Sequence, residues 1–454
     1  MSPSSPPLRL PVFYGWVVVT VAFVTMAIGV NARTAFSLLY PPILDEFGWQ
    51  RGETAGAFTI GFLAATGFAP VFGVLMDRWG PRLVIPLGAA IVAAGFALAI
   101  LIASPVTLYL SLGLLVVGGS VGMSYIGHSM FLPNWFVRKR GLAIGIAFAG
   151  VGVGGIVLLP LIQSIIEDVG WRTACVTLAV AIVVVIIPLN MILQRRQPSD
   201  IGEEPDGGAK RDRDGNAAKP IDNVVDRAWA ETDWTLPKAL RTGRFWWISA
   251  GASAGLYVWY SVQVHQTRYL LDIGFGAGEA AFALGLVALF GIVGQIGIGA
   301  LSDRIGREWA WTIACMGFAV SYAALIALGD TPARWLVYVM VGGQGLLGYG
   351  LASLFGAIPN EIFAGRRFAT IFSVTTVGAN VGAGVGPWMT GVIFDRTGSY
   401  DLAFMVCLAM CFVSAACIWM AGPRKVRLVA GQAARREARL RVGGEAGEAP
   451  VSRP

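Results

Sequence analysis

Gly73-Val-Leu-Met-Asp77-Arg-Trp-Gly-Pro-Arg82 is a polar stretch between two long apolar segments, and the chain contains it twice. A degenerate copy, Gly299-Ala-Leu-Ser-Asp303-Arg-Ile-Gly-Arg307, follows at an offset of 303 minus 77, or 226, residues. Pro133-Asn134 recurs at the same offset as Pro359-Asn360. Two unrelated landmarks that share one offset indicate that the chain consists of two copies of one unit. Because each copy is a series of apolar segments joined by short polar loops, we expect two equivalent sets of membrane helices.

The composition indicates an integral membrane protein and not a soluble domain. Of 454 residues, 56% are hydrophobic and 13% are charged, whereas soluble domains carry about a quarter charged residues. The 59 glycines and 15 tryptophans fit the same class, since both are common in membrane proteins. The net charge of +7 lies mainly in short loops, the central polar segment and the tail. It therefore indicates membrane orientation and argues against nucleic acid as a partner.

Twelve apolar segments are long enough to cross a bilayer, six in each copy of the repeat. They predict an all-α integral membrane fold of two pseudo-symmetric six-helix bundles, 13–194 and 244–422. The polar segment 195–243 is predicted to be a solvated linker, and 1–12 and 423–454 are predicted to be terminal tails, of which the second is basic. The predicted spans are 13–39, 54–76, 83–103, 107–130, 141–164, 172–194, 244–267, 279–301, 309–329, 335–358, 368–393 and 401–422.

The orientation of these helices follows from the distribution of Lys and Arg between alternate loops. Loops 77–82, 133–141, 303–308 and 361–368 carry nine of these residues, and the opposite loops carry five single arginines. The linker and the tail belong to the richer side, so both termini are predicted to lie in the cytoplasm. No small-residue cleavage site precedes the first apolar segment, which is expected to be a helix and not a removed signal peptide.

Enzyme chemistry is not expected from the residue types or their spacing. The five cysteines lie in apolar segments without a CxxC motif or a paired histidine, so the sequence predicts no metal site, no cofactor and no disulfide. No Ser/His/Asp set falls at one membrane depth. The run Gly150-Val-Gly152-Val-Gly154-Gly155 lies inside a predicted span, where a dinucleotide-binding fingerprint, which requires a strand, a turn and a helix, cannot form.

Both copies of the Asp77 stretch are similar to the signature loops of the major facilitator superfamily, between helices 2 and 3 and between helices 8 and 9. Other segments resemble one group within it, the monocarboxylate porters and the oxalate:formate antiporter, whose bacterial members carry small organic anions. The resemblance covers 13–422 and implies the major facilitator fold in a bacterial inner membrane. These segments are Tyr14-Gly15-Trp16-Val17-Val18, the stretch from Asn134 to Gly145, Gly170-Trp171-Arg172, and the stretch from Gly386-Pro387 to Tyr400.

The resemblance implies that the repeated loops control access to the substrate and do not bind it. Asp77 and Asp303 lie at predicted cytoplasmic helix ends, where a carboxylate can meet the positive N-terminus of a neighbouring helix or a loop arginine. Such pairs would hold the cytoplasmic side closed, the alternative being solvated loop charges. The residues assigned to gating are Asp77, Arg78, Arg82, Asp303 and Arg304.

Glycines recur at spacings of about four residues in the predicted helices 5 and 11. Residues spaced in this way share one helix face, so that small ones allow two backbones to approach closely. We interpret them as packing positions rather than ligand contacts. They are Gly141, Gly145, Gly150 and Gly154 in helix 5 and Gly378, Gly382 and Gly386 in helix 11.

Arg33 is the one ionisable residue that lies deep in an apolar segment, and such residues are usually functional. It follows Phe13 by 20 residues, or roughly 30 Å of helix. Its forked guanidinium is well matched to a carboxylate in a cavity of low dielectric. Two alternatives remain open, since the side chain could reach the membrane surface or pair with a buried polar group. Its equivalent in the second copy is Trp259, so the charge is not repeated.

Other polar residues at plausible depth could orient a substrate or bond a neighbouring helix. His265 is the best candidate for proton coupling, because histidine titrates in the physiological range, although a helix-end contact is the alternative. We predict a structural role for the other histidine, His128. The residues proposed to line the binding site are Arg33, Asn31, Tyr257, Tyr260, Gln295 and Asn380; Gln344 is a further polar residue at this depth.

Together these features predict a secondary active transporter of a small monocarboxylate such as lactate or pyruvate, coupled to a proton and working by alternating access as a monomer. Human-type monocarboxylate porters carry an Asp and an Arg in helix 8, and the oxalate carrier has an Arg there and a Lys in helix 11. Here 279–301 has no internal charge and helix 11 has no Lys, so one positive charge favours one carboxylate. The alternatives are a transporter of a larger aromatic or weakly charged solute, an organic-anion antiporter, and a membrane sensor that does not transport.

Overall fold

The computed structural model describes residues 13–49, 51–207, 223–331 and 333–447. Within these ranges the chain is almost wholly helical and forms no β-strand, the one β-bridge being an isolated pair between Val224 and Arg427. The predicted all-α fold is therefore confirmed.

The helices of the first half follow the predicted spans closely. Helix α1 begins at Gly15 and runs to Thr34, and after a break at Ala35 the helix Phe36–Phe47 continues it. The remaining five are α2 (Arg51–Trp79), α3 (Pro81–Ala99), α4 (Pro105–Asn134, interrupted), α5 (Arg140–Val169) and α6 (Trp171–Leu193).

The second half repeats this order. Its helices are α7 (Gly243–Asp272), α8 (Ala277–Ile305), α9 (Arg307–Asp330), α10 (Arg334–Phe363, interrupted), α11 (Phe368–Thr397) and α12 (Asp401–Ala421). A final helix, α13 (Ala430–Gly447), follows outside the repeat. In the linker, two short helices, Arg227–Ala230 and Leu236–Leu240, precede α7.

Eleven helices in the described part of the chain are long and apolar enough to cross a membrane. The remaining predicted span, 244–267, lies in α7, which has 30 residues and thus sufficient length, since a span needs about 20. Its interior carries serines, tyrosines and tryptophans, namely Trp246, Trp247, Ser249, Ser253, Tyr257, Trp259, Tyr260 and Ser261, and these residues reduce its mean hydropathy. The charged side chains of α7 lie near its two ends.

Each half has its own hydrophobic core, as expected for two bundles. One cluster of buried side chains extends from Tyr14 to Ile201, and a second extends from Trp234 to Val426. The first cluster also includes Phe368 and Phe372 of α11. The two bundles are therefore in apolar contact at the end where α11 begins.

Both α4 and α10 are interrupted at corresponding positions. In α4 a π-helical stretch, Tyr109–Gly118, is followed by a 3₁₀ turn, Ser120–Met123. In α10 the π-helical stretch Gly343–Leu347 is followed by the 3₁₀ turn Gly348–Gly350. Such interruptions, when they recur in both halves of a transporter, point to its binding site.

The linker and the segment after α12 lie at the end of the molecule that carries Asp77 and Asp303. We call this end the basic end, and it is the one predicted to be cytoplasmic. The main chain of 223–225 bonds that of 426–428, since Leu428 N donates to Asn223 O at 2.7 Å. From α13, Gln432 Nε2 donates to Ile305 O at 2.8 Å. The tail thus rests on the repeated loop of the second half.

Candidate functional site: an access gate and a central polar cluster

Asp77 caps the first turn of α11, a helix of the opposite bundle. Its carboxylate accepts hydrogen bonds from Ala369 N at 3.2 Å, from Thr370 N at 2.8 Å and from Thr370 Oγ1 at 2.6 Å. These amides are among the donors that a helix N-terminus leaves unpaired, and the helix dipole favours a negative charge there. The Arg196 guanidinium completes the site at 3.1 Å.

Asp303 makes the equivalent contact in the other direction. It accepts hydrogen bonds from Gly141 N at 2.9 Å and Leu142 N at 3.1 Å, in the first turn of α5. Arg307, which is 1% exposed, bonds the same carboxylate at 2.8 Å and also Glu361 at 2.8 Å. Each repeated aspartate therefore stabilises a helix of the other copy.

The other residues assigned to gating from the sequence lie around these contacts without making them. Arg78 and Arg304 are exposed, and Arg82 Nε donates to the Met191 carbonyl at 2.5 Å. The guanidinium groups on the two carboxylates come from Arg196, in the linker, and Arg307, at the start of α9.

The helix faces that meet at the basic end are made of glycine. A Cβ added to Gly141 would overlap Gly299 O and lie 2.8 Å from Arg307 Nη1. One added to Gly145 would overlap Gln295 O. Such separations require glycine, because no other residue lacks the Cβ. We call this set of contacts, together with the caps made by Asp77 and Asp303, the gate.

The gate is closed at the basic end. At this end the two bundles are joined, among the described residues, by the two caps, by the ion pair between Arg140 and Glu361 at 3.6 Å and by a hydrogen bond from Asn360 to Asn134 at 3.3 Å. Those two residues occupy the same position in the two copies. These polar contacts close the basic end, and they leave the centre of the molecule accessible to a solute from the opposite end.

Arg33 lies at the last turn of α1, half-buried, with its guanidinium carbon 5.6 Å from the centre of the Phe62 ring. It forms no ion pair with any carboxylate of the described residues. A half-buried cation that rests on an aromatic face and lacks a counter-ion is suited to take an anion from outside the chain.

Tyr125 joins Arg33 to the second bundle. Its side chain interacts electrostatically with Arg33, Tyr260 and Tyr349, and its hydroxyl is within reach of the Gln295 side chain. Tyr125 comes directly after the interruption in α4, and Tyr349 lies within the 3₁₀ turn that ends the interruption in α10. We call Arg33, Tyr125, Tyr260, Gln295 and Tyr349 the central cluster.

Two residues proposed from the sequence as ligands, Asn31 and Tyr257, are engaged by other groups of the chain, and a third is half-buried. Asn31 is 3% exposed, and its amide donates to Ala27 O at 2.8 Å and to Val151 O at 2.9 Å, which joins α1 to α5. Tyr257 interacts with Thr390 inside the second bundle. Asn380 is half-buried on α11.

The two histidines occupy different surroundings. His265 lies near the far end of α7, where Nδ1 is 3.3 Å from the Tyr400 hydroxyl and Nε2 is 2.9 Å from Pro387 O. It lines a cavity of about 620 Å³ formed wholly by the second bundle. His128 is fully buried, with Nδ1 3.1 Å from Ser124 O.

Comparison with known proteins agrees with this architecture. The sequence profile described as "Major Facilitator Superfamily" matches residues 21–359, about three quarters of the chain. The chain belongs to the Major Facilitator Superfamily. It is a multi-pass membrane transporter and not an enzyme.

Relatives within the superfamily include monocarboxylate transporters. Mouse monocarboxylate transporter 11 is 26% identical over 90% of this chain and 88% of its own length. Rat monocarboxylate transporter 13 is 24% identical over 87% and 85%. The oxalate:formate antiporter of Oxalobacter formigenes is 25% identical over 91% and 93%. The group resemblance read from the sequence is thus confirmed.

Solved structures show the same superfamily fold. FucP in the outward conformation aligns with a TM-score of 0.63 and 15% identity, covering 90% of this chain and 98% of the other. The E. coli fucose:proton symporter FucP gives a TM-score of 0.64 at the same identity. At this identity the likeness concerns the fold.

Sequence reasoning missed Tyr125, Tyr349, Arg196 and Arg307 in this superfamily member. The first two had a signal, because Gly119 and Gly122 recur 226 residues later as Gly345 and Gly348, and glycine-interrupted spans in both halves point to a binding site. Arg196 had no such signal in the sequence, because only the folded structure shows which linker arginine pairs with Asp77.

Proposed function

We propose that this protein is a secondary active transporter of a small monocarboxylate, coupled to a proton, in a bacterial inner membrane with both termini in the cytoplasm. The observation that carries the proposal is Arg33, a half-buried guanidinium without a carboxylate partner in the described chain, at the interface of the two bundles. The names of the relatives support the same substrate class.

In this proposal the substrate carboxylate binds the Arg33 fork, and polar side chains of the other bundle orient the rest of the molecule. Gln295 is 3% exposed and its side chain is within reach of the Tyr125 hydroxyl, so a substrate hydroxyl that reaches this pair can exchange hydrogen bonds with it. Because Arg33 belongs to the first bundle and Gln295 to the second, a substrate that contacts both favours their approach.

Alternating access follows from the gate. With Asp77 and Asp303 capping helices of the opposite copy, the basic end is closed and the cluster is approached from the opposite end. Opening the basic end requires both caps to break, which exposes unpaired helix N-termini to water. Transport exchanges these contacts for others at the opposite end, in the manner of a rocking pair of bundles.

Uptake of labelled lactate and pyruvate into proteoliposomes, with and without a pH gradient, tests the proposal. Arg33→Ala is expected to raise KM about 10- to 150-fold, the equivalent of a charged hydrogen bond of about 1.5–3 kcal/mol. The KM of Arg33→Lys should lie between those of the wild type and Arg33→Ala, because lysine keeps the charge and loses the forked guanidinium. Arg396→Ala, which removes an exposed arginine, is the control. Uptake that is unchanged in Arg33→Ala would refute the role of Arg33.

A larger aromatic or weakly charged solute is a second candidate, favoured by the three tyrosines of the central cluster and by Trp259, whose ring lies 4.4 Å from that of Tyr349. Ligand-induced thermal shifts distinguish the two. If the shift follows hydrophobicity across neutral aromatic compounds and does not require the carboxylate, this second function is the correct one. Exchange that needs internal anion and ignores the pH gradient would indicate an antiporter.

A further inference from the structure

His265 is held between two helices by two hydrogen bonds of different kinds. The Pro387 carbonyl of α11 lies 2.9 Å from Nε2, and the Tyr400 hydroxyl, directly before α12, lies 3.3 Å from Nδ1. A carbonyl oxygen can only accept, so Nε2 must carry the proton. In the neutral ring Nδ1 is then an acceptor, and Tyr400 must donate to it.

Tyr400 is well suited to remain a donor. Burial raises the pKa of its phenol, and the negative charge of Asp272 acts in the same direction. Its ring stacks on Phe394 of α11, with centroids 4.3 Å apart, and on Phe404 of α12 at 5.3 Å. The hydroxyl is thus fixed in position by packing as well as by its bond to the imidazole.

The cavity beside His265 supplies the route for a proton. It is lined from every neighbouring helix by charged or titratable groups, and all of them belong to the second bundle. Arg268 and Asp272 of α7 form an ion pair at 3.0 Å. The others are Tyr269 of α7, Asp330 at the end of α9, Asp395 of α11, and Tyr400 and Asp401 at the start of α12.

We propose that Tyr400 and the Pro387 carbonyl hold neutral His265 as its Nε2–H tautomer, so that Nδ1 takes up the coupling proton from this acidic cavity. The inference rests on the proton coupling of the proposed function and adds the atom, the positioning residue and the route. A hydronium ion in the cavity gives up a proton to Nδ1, so that one O–H bond breaks as the N–H bond forms, a water molecule is left and the ring becomes an imidazolium. The Tyr400 hydroxyl then has to turn, because Nδ1–H is now a donor.

The consequence is that the proton acts on helix contacts and does not reach the substrate directly. The ring bonds α7 to α11 and to the start of α12, and α11 is the helix whose first turn Asp77 caps at the basic end. His265 therefore contacts α11 at Pro387, and the gate contacts the first turn of the same helix.

Nitrogen-15 NMR of the full chain with labelled histidine tests this directly, since the sequence contains two histidines. The His265 signals are identified by their loss in His265→Gln. In the neutral range they should show the Nε2–H tautomer. Tyr400→Phe should lower the ratio of the Nε2–H to the Nδ1–H tautomer of the neutral ring about 2- to 10-fold, the size of one hydrogen bond, because Nδ1 loses the hydroxyl that donates to it. Tyr338→Phe, at an exposed tyrosine, is the matched control.

A predominant signal of the Nδ1–H tautomer in the wild type, or a tautomer ratio equal in Tyr400→Phe and Tyr338→Phe, would overturn the inference. Transport provides the second measurement. The pH profile of gradient-driven lactate uptake should be altered in Tyr400→Phe, unaltered in Tyr338→Phe and flat in His265→Gln. If the wild-type protein carries no monocarboxylate, the proposed function fails, whereas the NMR result still decides the tautomer and the role of Tyr400.

Discussion

Removing the charge of Asp77 should open the basic end. In Asp77→Asn one oxygen becomes an NH₂ group, which must face either Thr370 N and Oγ1, now held at 2.8 and 2.6 Å, or Ala369 N and the Arg196 guanidinium, now held at 3.2 and 3.1 Å. Hydrogen bonds to a charged group contribute about 1.5–3 kcal/mol each. Asn keeps one acceptor and the Asp303 cap is intact, so we expect a net shift of about 1–3 kcal/mol, or about 5- to 150-fold in the ratio of open to closed gate.

Labelling of an introduced cysteine measures that ratio. Ser373 on α11 is fully buried and faces Gly73 across the gate, and the native cysteines are all buried. In Ser373→Cys a membrane-impermeant maleimide added from the basic side should react slowly. Adding Asp77→Asn to Ser373→Cys should accelerate the maleimide reaction by about 5- to 150-fold. Asp168→Asn, which alters an exposed carboxylate at the far end of α5, should leave the rate unchanged. Equal rates with and without Asp77→Asn would refute the capping argument.

The first of two further predictions concerns the ion pair between Glu46 and Arg172. The pKa of Glu46 is lowered by its bonds to Arg172 and Trp171. Because the folded pKa is depressed, this pair stabilises the fold above the ordinary carboxyl pKa of about 4.3 and stops doing so as pH falls through the folded value. The melting temperature of wild type should therefore exceed that of Glu46→Gln near neutral pH and converge with it in acid; a constant difference would contradict this. Gly145→Ala, which places a methyl on Gln295 O between the bundles, should accelerate the maleimide reaction by overpacking the gate at about 1–3 kcal/mol. In Gly67→Ala no atom lies within 4 Å of the new Cβ, so the labelling rate should not change. Equal labelling rates in the two variants would contradict the close contact between Gly145 and the Gln295 carbonyl.

Much of the fold could be predicted because two signals agree along the whole chain. Apolar length identifies a membrane helix wherever it occurs, and the repeat offset checks each assignment against its copy. The exception, α7, shows the limit of hydropathy. Its interior carries three serines, two tyrosines and a tryptophan within 249–261, and each of these scores low on a hydropathy scale. Trp259 nevertheless packs against the rings of Phe318 and Tyr349, so the helix buries this side chain against its own bundle.

The candidate site was less accessible to sequence reasoning, for a physical reason. Charge rarity in apolar segments singles out Arg33, and motif repetition singles out Asp77 and Asp303. Neither signal says which neighbour a side chain meets. Asn31 has the same polarity as a ligand-binding amide, yet both of its N–H bonds go to main-chain carbonyls. The recurring glycines before Tyr125 mark an interruption of α4, and only the folded chain shows that Tyr125 lies beside Gln295.

The bond between Asn360 and Asn134 joins a residue to its own copy, as happens where a two-fold axis passes. Together with the reciprocal caps, it gives the interface the isologous character of a homodimer. The arginines that pair with the two aspartates are not repeated, since the equivalents of Arg196 and Arg307 are Gly422 and Pro81. The centre differs as well. A homodimer would bring two copies of Arg33 to the axis, a repelling pair, whereas fusion allows the second copy to carry Trp259. Covalent linkage thus allows a symmetric gate to surround an asymmetric charge.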